Sequence, residues 1–492
     1  MAELIRCRFM THIYLPSAAL VLLAAVFTVT GETTTEQQDE AVAGFNDVRV
    51  AAGLEGFPPH GWYGIAWGDF NSDGWEDLFA GGLLWVNRKG RFEQLSTDVG
   101  ERAYGVWGDY DNDGDLDLFT YSPAQVFRNE GNVTFVAQSF PPVPMSTSQS
   151  ACCGDFDGDG DLDIYIGGYE DGGYQPDAIF TNAGDCAFSL SWQTPGRRQP
   201  ARGASPADFD EDGDLDIYVS NYRLEANSLL QNDGHGNFEN VGAAYGVSSP
   251  GLHGHTVGSA WGDLDNDGHL DLVVGNFSHP GQPPPQLLRN LGAEGEFRFE
   301  NKTAGAGLAW VESHTNPALG DYDNDGDLDL FICAAYKGDT AKLYRNNGDW
   351  TFTDVTDELG ITGERLHSAS WADYDNDGWL DLLVQRYQTI GHLYRNRGGA
   401  NHWLKVRLAG TSAVPGAQVR VGLDKGGGIL TRQVEGATGE CNQSPATLHF
   451  GLGLHDGPVT LEIRWPGGER QAVTTEVDRV VVVEKPVRTA AP

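Results

Sequence analysis

Aspartate occupies every second position of "DYDNDGDLDL" from Asp109 to Asp117. Carboxylates this dense repel one another unless something binds them. The pattern D-x-[DN]-x-D-G-x-x-D gives them a common task. Carboxylates at positions 1, 3, 5 and 9, with a backbone carbonyl at position 7, are hard oxygen ligands of the kind Ca²⁺ takes. Glycine at position 6 permits the sharp turn that brings both arms around an ion. The string recurs at seven starts: Asp69, Asp109, Asp155, Asp208, Asp263, Asp321 and Asp373.

The candidate ligands follow copy by copy. They are Asp69, Asn71, Asp73 and Asp77; then Asp109, Asp111, Asp113, Asp115 and Asp117; then Asp155, Asp157, Asp159, Asp161 and Asp163. The fourth copy has Asp208, Asp210, Asp212, Asp214 and Asp216, and the fifth Asp263, Asp265, Asp267, His269 and Asp271. The last two have Asp321, Asp323, Asp325, Asp327 and Asp329, and Asp373, Asp375, Asp377 and Asp381. Position 7 takes part through its carbonyl. An EF-hand begins alike but needs a bidentate Glu at position 12 between helices. Here position 12 is Ala80, Thr120, Ile166, Val219, Val274, Ile332 or Val384, within strand-like flanks. The expectation is therefore up to seven Ca²⁺ ions in non-EF-hand loops. Asn71 replaces Asp in the first copy and predicts a weaker site there.

These loops need strands on both sides to hold them. A small and aromatic segment precedes each copy, as in "GIAWGD" and "GSAWGD", and β-formers follow, as in "DIYIGG" and "DLFICA". Then come a hydrophobic pair, an Asn-x-Gly turn ("LYRNNG") and a fourth strand ("FTDVTDELGI"). Four short strands repeated at a period near fifty make propeller blades. The seventh unit lacks its last strand, and an orphan one, "FNDVRVAAGL", stands at Phe45. Pairing the two closes a ring and removes an open sheet edge. The fold class is thus all-β, a seven-bladed propeller over 45–398. The alternating strands "HWLKVRL", "VTLEIRW" and "RVVVVE" of 399–486 predict a small β-sandwich, and 487–492 a tail.

The 492 residues carry a formal net charge of −38, which disfavours nucleic-acid partners and favours cations. Arg6, Arg8 and His12 precede an apolar run from Ile13 to Val29, so 1–31 reads as an export signal and 32–44 as a linker. No later segment is long and apolar enough to span a membrane. The expected location is secreted, cell-surface or periplasmic. Cys152, Cys153 and Cys186 allow one disulfide, from Cys186 to either partner; Cys333 reads as a buried thiol.

"WGDYDNDGDLDLF" resembles the core of the FG-GAP/VCBS repeat, found in the integrin α-subunit propeller. "NHWLKVRLAG", "GAQVRV", "LHFGLG" and "VTLEIRWPGG" look like the ASPIC/UnbV domain. The combination is similar to the cartilage acidic protein 1 family. This resemblance implies a secreted Ca²⁺-binding adhesion or ligand-binding protein and supplies no catalytic residues.

Strand direction places the calcium loops and the Asn-x-Gly turns on one face. The longer, more varied connections on the other face are the better place for a partner. His60, His255, His314 and His367 precede the first strands of neighbouring blades and predict an arc at the channel mouth, beside Arg102 and Arg202. Tyr121, Tyr169, Tyr222, Phe277, Tyr336 and Tyr387 open the second connections. Such a ring suits a carbohydrate, an anionic ligand or an extracellular protein. The alternative reading is a polysaccharide- or ester-active hydrolase or lyase at that mouth. No Gly-x-Ser-x-Gly, His-Glu-x-x-His or phosphate loop supports it, so no enzyme is expected.

Overall fold

The computed structural model describes residues 44–55, 64–97, 99, 104–248, 254–386, 389–409, 414–423 and 428–486. The signal, the linker up to residue 43 and the tail from 487 lie outside them. So do His60, Arg102 and Tyr387.

Among the described residues seven sheets follow one another along the chain, each with four antiparallel strands, and the first gains a short parallel fifth strand from the C-terminal part. Their first strands are Ile65–Gly68, Gly105–Gly108, Ser148–Gly154, Ala201–Ala207, His255–Gly262, His314–Gly320 and Leu366–Ala372. These strands are short and almost wholly buried, and each neighbours the next, the last returning to the first. The small residues of these segments answer to a close approach: a Cβ on Gly320 would lie 2.7 Å from Trp371 of the next blade. That tryptophan donates its indole N–H to the Ala318 carbonyl at 3.3 Å. Trp107 and Trp261 do the same to Ala66 and Ser205.

The hydrophobic core is distributed, with one cluster at each blade boundary. Phe70, Phe79, Trp107 and Leu118 fill the first, and Trp67, Leu78, Tyr374 and Leu383 join the seventh blade to the first. The seventh sheet is completed by Phe45–Asp47, which pairs antiparallel with Thr389–Asn396 in the register Phe45↔Asn396. The ring closes as the orphan strand predicts.

A second closure was not foreseen. The asparagine that opens this turn is buried in every blade, in Asn-x-Gly or, at Asn87, Asn-x-x-Gly, and its amide spans two blades. Asn87, Asn129, Asn182, Asn232, Asn290, Asn346 and Asn396 donate to carbonyls of the preceding blade at 2.7–2.8 Å. The acceptors are Tyr374, Phe70, Tyr110, Phe156, Phe209, Leu264 and Tyr322, so the chain of bridges returns to its start. Read from sequence, these residues were only turn formers.

The C-terminal residues form two sheets. One contains Leu448–Gly453, His402–Ala409 and Arg479–Glu484; the other contains Ile429–Gln433, Gln418–Gly422, Val459–Arg464 and Arg470–Thr475. Leu404, Val406, Val419, Val421, Phe450, Leu461 and Ile463 share one core. Alternation sends Lys405 and Arg407 the other way, onto the aspartate loops. The five described cysteines, Cys152, Cys153, Cys186, Cys333 and Cys441, are free and buried, so the disulfide allowed by sequence is not formed.

Candidate metal centres and ligand face

Each aspartate loop is built by its own backbone. Position 4 takes a left-handed conformation, as at Asn112 (φ 64°), and the position-6 glycine does too, as at Gly114 (φ 96°). This folds the loop so that the N–H groups of Asp113 and Gly114 donate to the two oxygens of Asp109, each at 3.1 Å. Position 5 turns back onto its own strand: Asp113 accepts from the Asp115 N–H at 2.9 Å. The same scheme recurs at Asp73, Asp159, Asp212, Asp267, Asp325 and Asp377.

Position 9 is the anchor. Asp77, Asp117, Asp163, Asp216, Asp271, Asp329 and Asp381 are at most 1% exposed. One oxygen of each accepts the N–H of the bridging asparagine at 2.7–2.9 Å. The loop, the inter-blade bridge and the strand therefore meet at one carboxylate.

Positions 1, 3 and 9 converge. Asp109, Asp111 and Asp117 bring one oxygen each within 4.8 Å of one another, as do Asp155, Asp157 and Asp163. Asp208, Asp210 and Asp216, and Asp263, Asp265 and Asp271, do likewise; in the sixth blade the trio is Asp321, Asp323 and Asp325. In the fourth blade Asp208 Oδ1, Asp210 Oδ1 and Asp216 Oδ2 are all buried and have no hydrogen-bond donor. Arg464 reaches the other oxygen of Asp208, which leaves three carboxylates to one cation, and buried carboxylates in such excess are costly. A metal ion fits this donor set. Asp265, Asp323 and Asp375 each leave Oδ1 buried and without a donor in the same way.

Without an ion, burial favours the protonated form of these carboxylates. Burial, with repulsion from neighbouring aspartates added, pushes Asp77, Asp117 and Asp163 up to about 8. It pushes Asp208 and Asp263 to about 7 and Asp109 and Asp155 to about 6.

Position-7 side chains do not point at the ion site. Asp161 receives the amide of Asn112, Asp327 that of Asn266 at 2.6 Å, and His269 Nδ1 meets Glu211 at 2.7 Å. These contacts tie the third, fifth and sixth loops to their neighbours and leave the position-7 carbonyls for a metal. Asn71 turns its amide nitrogen toward Asp77 at 3.5 Å.

Cations of the protein itself also reach the loops. Arg289 meets Asp265 at 2.8 Å and Asp267 at 2.9 Å, and Arg395 bonds Asp375 and Asp377. From the sandwich, Lys405 meets Asp373 at 2.9 Å, Arg407 meets Asp69 at 2.9 Å and Arg464 meets Asp208 at 3.0 Å. The aspartate-loop face is thus covered.

The channel is filled as well. The segment Gly436–Gln443, between two sandwich strands, contacts the inner strand of every blade. Asn442–Gln443 pairs in parallel with Ile65–Ala66. The Gln443 side chain exchanges two hydrogen bonds with the Trp107 backbone, at 2.7 and 2.9 Å. Cys153 donates its N–H to the Gly436 carbonyl at 3.3 Å, and Gly439 to that of Ser259 at 2.7 Å. Glu440 meets Arg202 at 2.6 Å, and its N–H meets Asn316 at 2.9 Å. Asn442 bonds Ser368 and Ala369.

The opposite face keeps part of the expected aromatic set. Tyr222 packs on His255 at 4.7 Å between ring centres, with Tyr169 at 6.5 Å and Phe277 at 6.2 Å. Phe277, Tyr336 and His279 are near-parallel, with interplanar angles of 10–30°. His279 was missed in the sequence although it lies two residues beyond Phe277. His314 does not join. It is fully buried, its Nδ1 accepting from Val311 N–H and its Nε2 lying 3.1 Å from the Thr340 carbonyl. His367 is half-buried, and burial, then Arg202 and Arg365, push it down to about 4. Tyr121 is buried against Tyr104. Arg202 pairs with Glu440 and Arg223 with Glu170, and His279 Nδ1 lies 2.5 Å from Glu312. His60 and Arg102 of the expected ring lie outside the described residues.

These features define an aspartate-loop β-propeller plugged by its own C-terminal sandwich. Residues 109–166, 155–219, 208–274 and 321–384 match the FG-GAP-like repeat, and 409–490 match ASPIC and UnbV. The chain carries FG-GAP-like repeats with a C-terminal ASPIC and UnbV domain, and it is homologous to cartilage acidic protein 1. It is 28% identical to the mouse (Mus musculus) protein over 69% of this chain and 55% of that one. The human (Homo sapiens) protein gives 28% over 69% and 54%. The chain therefore spans about half the length of the curated relatives it matches. Among solved structures, a lectin of Agrocybe aegerita recognising non-reducing terminal N-acetylglucosamine is similar at a TM-score of 0.41 and 18% identity, over 69% of this chain and 91% of that one. The V. cholerae biofilm matrix protein Bap1 gives 0.27 and 11%, over 85% and 73%. Superpositions this loose carry no functional argument. Among the described residues, no helix is long and apolar enough to cross a membrane.

Proposed function

We propose that the protein is a secreted calcium-binding propeller that acts as an adhesion or ligand-binding module and meets a carbohydrate partner on the face opposite its calcium loops. Calcium is preferred over Mg²⁺ because each loop offers several carboxylates and a carbonyl, a set that suits a large, flexibly coordinated ion. Up to seven ions are held by positions 1, 3, 5 and 9 and the position-7 carbonyl. One observation carries the choice of face. The sandwich covers the loops and the plug fills the channel, whereas Tyr336 is 39% exposed beside the parallel rings of His279 and Phe277. Sugars stack on such rings.

The alternative of a hydrolase or lyase needs an open channel mouth. The plug occupies it, and Glu440 is committed to Arg202. The test is a glycan array with calcium-loaded protein, run beside Tyr336→Ala/His279→Ala. The expected result is binding that falls at least tenfold in the variant. Binding that persists unchanged refutes this face, and turnover of a polysaccharide favours the enzyme.

A further inference from the structure

The plug runs the depth of the channel and turns back at its tip. There Thr438 pairs antiparallel with Asn442, and Gly439 and Cys441 take left-handed conformations (φ 59° and 62°), with Glu440 at the apex. The ends of the plug meet Cys153 and Trp107, late in their inner strands and close to the calcium loops. The tip meets residues early in theirs, on the ligand side. Cys441 Sγ donates to the Gln149 carbonyl at 3.1 Å. Asn316 accepts the Glu440 N–H at 2.9 Å, and its own amide donates to the Glu440 and His367 carbonyls at 3.3 and 3.1 Å. The backbone of the tip is therefore fixed, and the Glu440 side chain is aimed at Arg202.

Arg202 stands where it can pass this on. Its ladder runs Ala201↔Asn221 and then Gly203↔Ser220, so Arg202 is bulged out of the pairing. A bulge re-aims a side chain. Here it sets Nε 2.6 Å from Glu440 Oε1 and the guanidinium carbon 4.7 Å from the centre of the Tyr222 ring. Tyr222 packs on Phe277 at 6.2 Å, and Phe277 stacks on the exposed Tyr336 at 5.1 Å.

We propose that Glu440 is a positioning residue of the ligand face: through the plug, the C-terminal part of the chain fixes Arg202 and with it the Tyr222 ring on which that face is assembled. The inference rests on the proposed reading of this face as the binding surface. Glu440 is 1% exposed and does not meet a ligand itself. It acts by holding a guanidinium whose side chain is only 15% exposed. Without the carboxylate that charge is left enclosed and uncompensated, a state relieved by swinging toward water. The cation then leaves the face of Tyr222, and the attraction between them is lost.

The Tyr222 ring is labelled with 3-fluorotyrosine in the calcium-loaded full chain, with Tyr344, in the core between the fifth and sixth blades, as the control. In Glu440→Ala the fluorine resonance at Tyr222 is expected to shift or broaden and that at Tyr344 to stay. The strongest array glycan of the parent is expected to bind at least tenfold more weakly. Arg202→Met is expected to lose binding equally, and adding Glu440→Ala to it to cost nothing more. Glu440→Asp keeps the charge but draws the carboxylate back by a methylene. It is expected to move the same resonance, which keeps the test decisive if Glu440→Ala does not fold. The proposal is overturned if Tyr222 keeps its parent resonance in a folded Glu440 variant, if that variant binds as the parent does, or if the losses at Arg202 and Glu440 add. A parent that binds no glycan refutes the reading of the face, and the fluorine signal then decides the positioning alone.

Discussion

The seven loops share a pattern, but their residues do not predict equal sites. In the fourth blade one arginine, Arg464, meets only Asp208, at 3.0 Å, Gln231, a neutral donor, bonds Asp210 at 2.6 Å, and the trio Asp208, Asp210 and Asp216 keeps three oxygens free of donors. In the fifth and seventh blades Arg289 and Arg395 already occupy the third and fifth carboxylates. Calcium titration is therefore expected to fill the fourth blade before the fifth and seventh. Asp210→Asn is expected to remove one ion per chain, measured by metal analysis after gel filtration; an unchanged stoichiometry would falsify that assignment. The raised carboxylates set a pH dependence with an unusual sign. Asp77, Asp117 and Asp163 rise from 3.8 to about 8 in the folded, metal-free chain. A group raised on folding stabilises the fold below its unfolded value and loses that contribution as pH climbs through the folded one. Metal-stripped protein should therefore melt at lower temperature at pH 8 than at pH 5. With saturating calcium the order should reverse, because protons and Ca²⁺ compete for the same oxygens. Parallel melts at the two pH values check both signs.

At the scale of strands and turns, stability is shared between the loops and the asparagine bridges. Asn346 donates to Leu264 of the preceding blade at 2.8 Å and to Leu328 of its own at 3.1 Å. Asn346→Ala leaves both carbonyls buried and unpaired, for a cost of about 2–4 kcal/mol. Chemical denaturation should show it, and a loss under about 1 kcal/mol would mean that water replaces the amide. The strand pattern was legible in the sequence because it is local. Alternation, turn chemistry and the orphan strand at Phe45 together specify the blades and the closure. The bridges were not legible, because "RN" before a turn looks like turn chemistry and its acceptors lie in another repeat. His314 misled for a related reason. It stands before an inner strand as His255 does, but its ring packs on Trp310 at 5.8 Å, and only tertiary contacts decide that. The basic stripe of "HWLKVRLA" was visible as alternation, yet nothing local names the acidic loops as its target.

The whole molecule is held by a segment with no periodicity of its own. "GATGECNQ" carries neither a strand pattern nor a hydrophobic face, yet it touches all seven inner strands. It does so with backbone groups and short polar side chains, which suit a channel lined by inner-strand backbone. Propeller and sandwich should therefore unfold together. Replacing Gly436–Gln443 with a Gly-Ser linker of equal length keeps the sandwich core, which uses none of these residues. It removes about ten hydrogen bonds to the ring, each contributing about 1 kcal/mol net. Scanning calorimetry of the calcium-loaded parent is expected to give one transition. The linker variant is expected to give two, with the propeller's lower by about 5–10 °C. A single transition at the parent temperature would show that the salt bridges from Lys405, Arg407 and Arg464 couple the two parts and that the plug only fills space. Adding 0.5 M salt to both proteins separates these contributions, since the exposed part of such ion pairs is screened while the enclosed hydrogen bonds are not. If the plug dominates, salt moves the linker variant more than the parent.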